Sequence, residues 1–274
     1  MSDQPTVRLN TGAGMPQLGF GVFKVPNSET AAAVRSALEV GYRSIDTAAM
    51  YGNEEGVGRA IRESGLPRND VFVTTKLNND AHGKENALRA FEQSRRHLGF
   101  DYVDLYLIHW PLPRRDLYVE TWQALETLYR EGVARAIGVS NFHVPHLRRL
   151  LDESGVVPAV NQIELHPYLV QTELRQFHAK QGIHTEAWSP LARGRELLTD
   201  PVITILAEKY GKTPAQIVIR WHLQIGNIVI PKSVTPARIA ENFDVFDFEL
   251  DDDDLDGITE LDRGRRTGPN PDDG

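Results

Sequence analysis

Short apolar runs alternate with longer amphipathic periods along almost the whole chain, and the alternation is regular enough to count. The opening segment VRLNTGAGMPQLGFG carries turn residues between two short runs, which predicts a small β-hairpin leading into a first strand over residues 17–21. A helix begins at Ser28, with Val34 and Leu38 at helical spacing and Gly41 in the stop position. The second strand is expected at 42–45. Asn53 is placed to cap the next helix, where Glu54 and Glu55 favour the positive end of the dipole and Gly65 ends it. Further strands are expected at 71–75, 103–108, 134–139, 159–163, 183–187 and 228–230. Between and after them fall helical periods at 85–98, 122–130, 144–151, 173–180, 202–210, 214–224, 237–243 and 255–263.

Eight strands alternating with helices in a chain of 274 residues match a (β/α)8 TIM barrel with an N-terminal hairpin and a short C-terminal tail. A doubly wound open sheet is the alternative, since sequence does not show closure. Against it, no Gly-x-Gly-x-x-Gly follows a predicted strand, and Gly52, Gly56 and Gly58 have the wrong spacing for a phosphate-binding turn. No linker or low-complexity block divides the chain, so residues 1–274 read as one domain. The acidic run at 251–254 sits where the last helix starts, and capping with dipole compensation accounts for it.

Composition narrows the field. The net charge of −8, with basic residues scattered in short pairs, argues against broad nucleic-acid binding. There is no cysteine, which removes disulfides, thiolate nucleophiles and cysteine metal sites together. The N-terminus has neither a basic nor an apolar signal region, and no apolar run approaches the roughly 20 residues of a spanning helix. The expectation is a soluble, cytoplasmic protein.

In a barrel the active site is built at the carboxyl ends of the strands. Asp46 stands after the second strand, Lys76 after the third, His109 after the fourth, and Ser140 with Asn141 after the fifth. Gln162 lies within the sixth, Trp188 follows the seventh, and Lys232 with Ser233 follows the eighth. Taken singly, each has an ordinary explanation: a turn cap, a lysine reaching for water, a satisfied structural histidine, rim packing. Independent coincidences do not readily put an acid, a lysine and a histidine at the same end of three successive strands. The chemistry open to them is restricted. No His-x-His or His-Glu-x-x-His motif supports a metal-activated water, and no Gly-x-Ser-x-Gly elbow supports a serine nucleophile. A tyrosine beside a lysine is different, because an ammonium stabilises the phenolate left when the phenol gives up its proton. Tyr51 is then a general acid for a carbonyl oxygen, and Asp46 pairs with Lys76 to keep it charged and aimed.

These residues resemble the aldo-keto reductases, and the resemblance runs over nearly the whole chain. It is carried by GYRSIDTA from Gly41, YGNE from Tyr51, TKL from Thr75, DLYLIHWP from Asp104, GVSNF from Gly138, NQIELHP from Asn161 and IPKS from Ile230. The run TEAWSPL from Thr185 is most similar to the prokaryotic branch that includes 2,5-diketo-D-gluconate reductases. The resemblance implies a monomeric barrel that reduces aldehydes or ketones with NADPH. Its catalytic tetrad would be Asp46, Tyr51, Lys76 and His109, with Tyr51 as proton donor and His109 holding the substrate carbonyl. Ser140, Asn141 and Gln162 would hydrogen-bond the nicotinamide carboxamide, and Trp188 would stack on the ring. Ser189 and Leu191 would lie along the pyrophosphate, Lys232, Ser233 and Arg238 would hold the 2′-phosphate, and Asn242 would meet the adenine. Two cations and a hydroxyl around a helix start also suit a phosphate on physical grounds.

One departure bears on substrate choice. The residue two after the lysine, often a bulky aromatic in this branch, is Asn78, which removes a candidate apolar wall. The tail at 267–274 is short, polar and Pro-rich, offering little cover for a large apolar substrate. Small polar or short-chain carbonyls are therefore expected. Two other classes compete: a cofactor-binding regulatory subunit that senses redox state, against which the intact tetrad counts, and a metal-dependent barrel hydrolase, which lacks its ligands.

Overall fold

The computed structural model describes residues 4–194 and 196–273. A hairpin of β1 (Thr6–Arg8) and β2 (Gly14–Pro16) precedes eight parallel strands in sequential order. They are β3 (Phe20–Gly21), β4 (Ser44–Asp46), β5 (Phe72–Leu77), β6 (Leu105–Ile108), β7 (Ile137–Ser140), β8 (Val160–Glu164), β9 (His184–Trp188) and β10 (Ile228–Val229). The two ends of this sheet meet. Leu18 bridges Val229 in parallel, the Gly19 amide donates to Val229 O at 2.8 Å, and the Val229 amide donates to Gln17 O at 2.9 Å. A closed ring has no exposed sheet edge, and the open doubly wound alternative is excluded.

Helices α1 (Asn27–Val40), α2 (Glu54–Glu63), α3 (Lys84–Leu98), α4 (Tyr118–Arg130), α5 (Val144–Glu153) and α6 (Thr172–Gln181) follow β3 to β8 in turn. Two helices, α7 (Pro201–Tyr210) and α8 (Pro214–Gln224), lie between β9 and β10, and α9 (Pro236–Phe243) and α10 (Asp252–Thr259) follow β10. Among the described residues, no helix is long and apolar enough to cross a membrane.

Strand side chains divide by parity. In β6, Tyr106 and Ile108 join the layer between strands and helices, whereas Leu105 and Leu107 join a smaller cluster inside the ring. That inner cluster also takes Leu9 and Met15 from the hairpin region, Phe72, Val160 and Ile228, so the N-terminal segment plugs the bottom of the barrel. Parity then sends Thr74 and Lys76 inward after Phe72, and Gln162 and Glu164 inward after Val160.

Two local expectations are corrected. Asn53 precedes α2 without capping it: its buried side chain donates to Val22 O and Val25 O and accepts from Thr47 Oγ1, bonds that outcompete the cap. The last helix spans Asp252–Thr259 rather than reaching residue 263, because the Arg263 and Arg265 amides turn back to donate to Tyr168 O. Asp251 does cap it, accepting from the Asp254 amide at 2.9 Å. Gly58, unsuited to a phosphate loop, marks a close helix contact, since a Cβ there would sit 1.9 Å from Leu98 O.

Candidate active site

At the upper end of the ring the inward positions turn polar. Asp46 ends β4, Lys76 is the fifth residue of β5, His109 follows β6, Ser140 ends β7, and Trp188 ends β9. Several strands thus run one or two residues further than the apolar pattern suggests, which places Asp46, Lys76, Ser140 and Trp188 on the sheet itself. Side chains on a hydrogen-bonded strand are held more firmly than side chains on a loop.

Lys76 has no exposed surface, and its ammonium donates to Asp46 Oδ1 at 2.6 Å and to Thr47 O at 2.9 Å. It also reaches the Tyr51 hydroxyl at 3.5 Å and lies 5.1 Å from that ring's centre. Burial pulls the Lys76 pKa down, but the Asp46 carboxylate and the Tyr51 side chain outweigh it, so the ammonium is held above its usual range. Tyr51 ends a short 3₁₀ turn, Ala49–Tyr51, closed by Gly52 in the left-handed region at φ 64°. Asn53 ties this turn to the loop after β3, and Glu54 accepts from Thr75 Oγ1 at 2.6 Å, fastening the start of α2 to β5. Burial raises the Tyr51 pKa, with Lys76 pulling the other way, so the phenol keeps its proton at neutral pH. The expected ammonium effect is therefore real but smaller than desolvation. The His109 ring stands 5.8 Å from Tyr51, edge to face. Burial and the Lys76 charge lower its pKa to about 3, which leaves a neutral imidazole.

Above this floor opens a cleft of about 690 Å³. It is lined by Asp46, Tyr51, His109, Ser140, Asn141, Gln162, Trp188, Ser189, Leu191, Lys232, Ser233, Arg238 and Asn242. Of the catalytic and cofactor-binding residues expected from the sequence, only Lys76 is absent from the wall, and it is fully buried. Asn141, at φ 63°, donates from Nδ2 to His109 O and to Ser140 Oγ, and its Oδ1 accepts from Trp188 Nε1 at 2.8 Å. The indole plane is thereby fixed from below. Lys232 and Arg238 are exposed at the far end, beside the start of α9, and neither makes an ion pair among the described residues.

Three features were not read from the sequence. Glu186, two residues before Trp188 and on the same strand face, is fully buried. Its Oε2 accepts from Gln162 Nε2 at 2.9 Å, and that same nitrogen donates to Asp46 Oδ2 at 2.8 Å. Burial, and then the neighbouring Asp46, raise the Glu186 pKa to about 8. Its parity with Trp188 was the available signal. Second, the C-terminal tail helps to build the cleft: Gly268 and Pro269 line it, and the Thr267 and Gly268 amides donate to the buried Glu164 carboxylate. The tail is further held by Asp272, which meets His143 Nδ1 at 2.9 Å. Third, Asn78 stands outside the cleft and accepts from the Asn79 amide at 2.8 Å, while Phe23, Met50 and Trp110 supply apolar wall.

Residues 11–263 match the Aldo/keto reductase family. An aldo-keto reductase of Mycolicibacterium smegmatis is 58% identical over 267 residues, covering 97% of each chain. The methylglyoxal reductase DkgA of Escherichia coli K12 is 55% identical over 273 residues, covering 99% of this chain and 98% of its own. A solved structure of a mutant Gox0644 in complex with NADPH superposes with a TM-score of 0.95 at 51% identity, covering 100% of this chain and 99% of that one. Fold and sequence agree over nearly the whole chain, and the chain belongs to the aldo/keto reductase family.

Proposed function

We propose that the protein reduces small aldehydes and ketones with NADPH, Tyr51 giving the proton to the carbonyl oxygen. The observation that carries this reading is the buried contact of Asp46, Lys76 and Tyr51 directly beneath a cleft with room for a dinucleotide and a small carbonyl compound. NADPH, when bound, supplies the hydride. The remainder is done by the chain's own groups. Tyr51 enters protonated, and the ammonium 3.5 Å away stabilises the phenolate left after transfer. Asp46 keeps that ammonium charged. Neutral His109 offers an N–H to the carbonyl oxygen and orients it toward Tyr51.

The residues present fit the cofactor. Trp188 presents a fixed aromatic face, and Ser140, Asn141 and Gln162 put amide and hydroxyl groups beside it. Lys232 and Arg238 have no protein ion partner among the described residues, which suits a phosphate at the cleft's far end. The relatives' names favour short dicarbonyl substrates such as methylglyoxal. The apolar wall from Phe23, Met50 and Trp110, with no aromatic at position 78, agrees with a small substrate.

The test is NADPH consumption with a panel of small aldehydes, dicarbonyls and keto-sugars, comparing wild type with Tyr51→Phe. Turnover is expected to fall by at least about a hundredfold, the scale of a lost general acid, with NADPH binding nearly intact. Equal turnover by both proteins rejects Tyr51 as the donor.

A further inference from the structure

Gln162 touches both halves of the site: it faces the cofactor cleft, and its amide nitrogen binds the carboxylate that holds Lys76. A lone amide can rotate by half a turn and exchange its oxygen and nitrogen. Here the nitrogen lies between two carboxyl oxygens, Asp46 Oδ2 at 2.8 Å and Glu186 Oε2 at 2.9 Å, so both amide hydrogens are engaged. A half-turn would set Gln162 Oε1 against the Asp46 carboxylate, which can only accept, and would give up the N–H bond at 2.8 Å. With the nitrogen claimed on both sides, Oε1 is left to the cleft, where it can only accept.

We propose that Glu186 is a positioning residue for the reduction, clamping Gln162 between itself and Asp46 so that the Gln162 carbonyl oxygen faces the bound cofactor's carboxamide. The proposal rests on the reading of the cleft as an NADPH site and of Tyr51 as the proton donor. Several observations meet at this residue. Glu186 has no exposed surface, it is two strand positions from the indole that forms the cofactor wall, and its second oxygen, Oε1, has no partner among the described residues. A buried carboxyl with an unpartnered oxygen is costly to keep.

The clamp also responds to protons. The charged or titratable groups around Glu186 are Asp46 across the shared amide, Lys76 beyond it, and Tyr51 above Lys76. Below about pH 8 Glu186 is neutral, and the Lys76–Asp46 pair carries no net charge. Above that pH Glu186 ionises, a second negative charge stands beside Asp46, and Tyr51 holds its proton more tightly. Proton donation therefore weakens as the pH rises through the Glu186 transition.

Two variants separate the alternatives: Glu186→Leu, which removes the acceptor at similar volume, and Glu186→Gln, which keeps an acceptor but cannot ionise. NADPH affinity is read by quenching of tryptophan fluorescence, without substrate, after both folds are checked by thermal melting. Glu186→Leu is expected to bind NADPH about tenfold more weakly, the order of a lost positioning contact, and Glu186→Gln to recover most of that loss. In Glu186→Gln the alkaline limb of the kcat–pH profile is expected to move upward by roughly one unit. Full affinity in Glu186→Leu, equal loss in both variants, or an alkaline limb unchanged in Glu186→Gln overturns the proposal. Should Glu186→Leu fail to fold, the pH profile of Glu186→Gln decides alone. Failure of the underlying reading is distinguishable: it appears as turnover retained by Tyr51→Phe, or as a wild type that does not bind NADPH.

Discussion

An ammonium with no exposed surface, as at Lys76, stays charged only because its neighbours compensate for the lost water: a carboxylate at 2.6 Å and a carbonyl at 2.9 Å. His109 moves the other way: burial first, and then the Lys76 charge, lower its proton affinity. In the proposed mechanism the buried ammonium supports a Tyr51 phenolate, while burial together with that charge keeps the His109 ring neutral. At the far end of the cleft the electrostatics are simpler. Arg238 is exposed and has no ion pair among the described residues. Arg238→Ala is expected to weaken NADPH binding by roughly tenfold or more, the loss of a charge-assisted contact of about 1.5–3 kcal/mol, while NADH binding changes little. Parallel titrations with the two cofactors check it, and equal losses would speak against a 2′-phosphate contact. The residues of this scale that were legible in sequence stand at strand ends, where a polar side chain interrupts an apolar run. Glu186 was not legible because it sits inside a strand between Thr185 and Ala187, where alternation reads as an ordinary strand. Only the shared amide of Gln162 discloses its role.

Elements were recovered well where periodicity is strong and poorly where a tertiary bond competes with a local rule. Helix α3 differs from its sequence reading by one residue at the start and matches it at the end, where Gly99 stops the helix in the left-handed region at φ 70°. Asn53 was misread as a cap because its side chain serves three loop groups that are remote in sequence or specific to the fold. The tail was underrated for a similar reason: its short polar run has no periodicity, and its importance lies in what it touches. At Gly268 a Cβ would approach Trp188 Cη2 to 2.5 Å and Glu164 Oε2 to 3.3 Å. Gly268→Ala is therefore expected to push the tail off the indole and loosen its clasp on Glu164. NADPH Kd and substrate KM should rise several-fold with little change in Tm, since the barrel core is untouched. A large Tm loss, or unaltered binding, would show that the tail is not part of the cleft wall in solution.

The whole molecule carries a pH signature of its own. Burial lowers the pKa of His82 to about 4 and of His109, His178 and His222 to about 3. Each stays neutral in the fold but takes a proton when unfolded at a pH below about 6.5. The unfolded state then binds more protons, so stability is full above that pH and is lost as the pH falls toward the folded values. Glu186 acts in the opposite sense between its ordinary value and about 8, because the folded state holds its proton there. At about pH 5.5 unfolding is expected to take up roughly three protons net, which corresponds to about 4 kcal/mol per pH unit. Urea unfolding from pH 7 to pH 5 measures this slope, and a flat profile would contradict the buried neutral histidines.

The ring is closed by contacts between Gln17–Gly19 near one end of the chain and Val229 near the other. During synthesis the first barrel strand is therefore made early and waits for nearly everything that follows. Until Val229 emerges, β3 and the newest strand each present an unpaired edge, a state open to pairing with other chains. Closing the ring joins segments from the two ends of the chain, and the entropy of so long a loop is lost before the contact can repay it. Loss of a few residues around β10 would leave most helices and strands in place, yet would return the molecule to that unpaired, association-prone form.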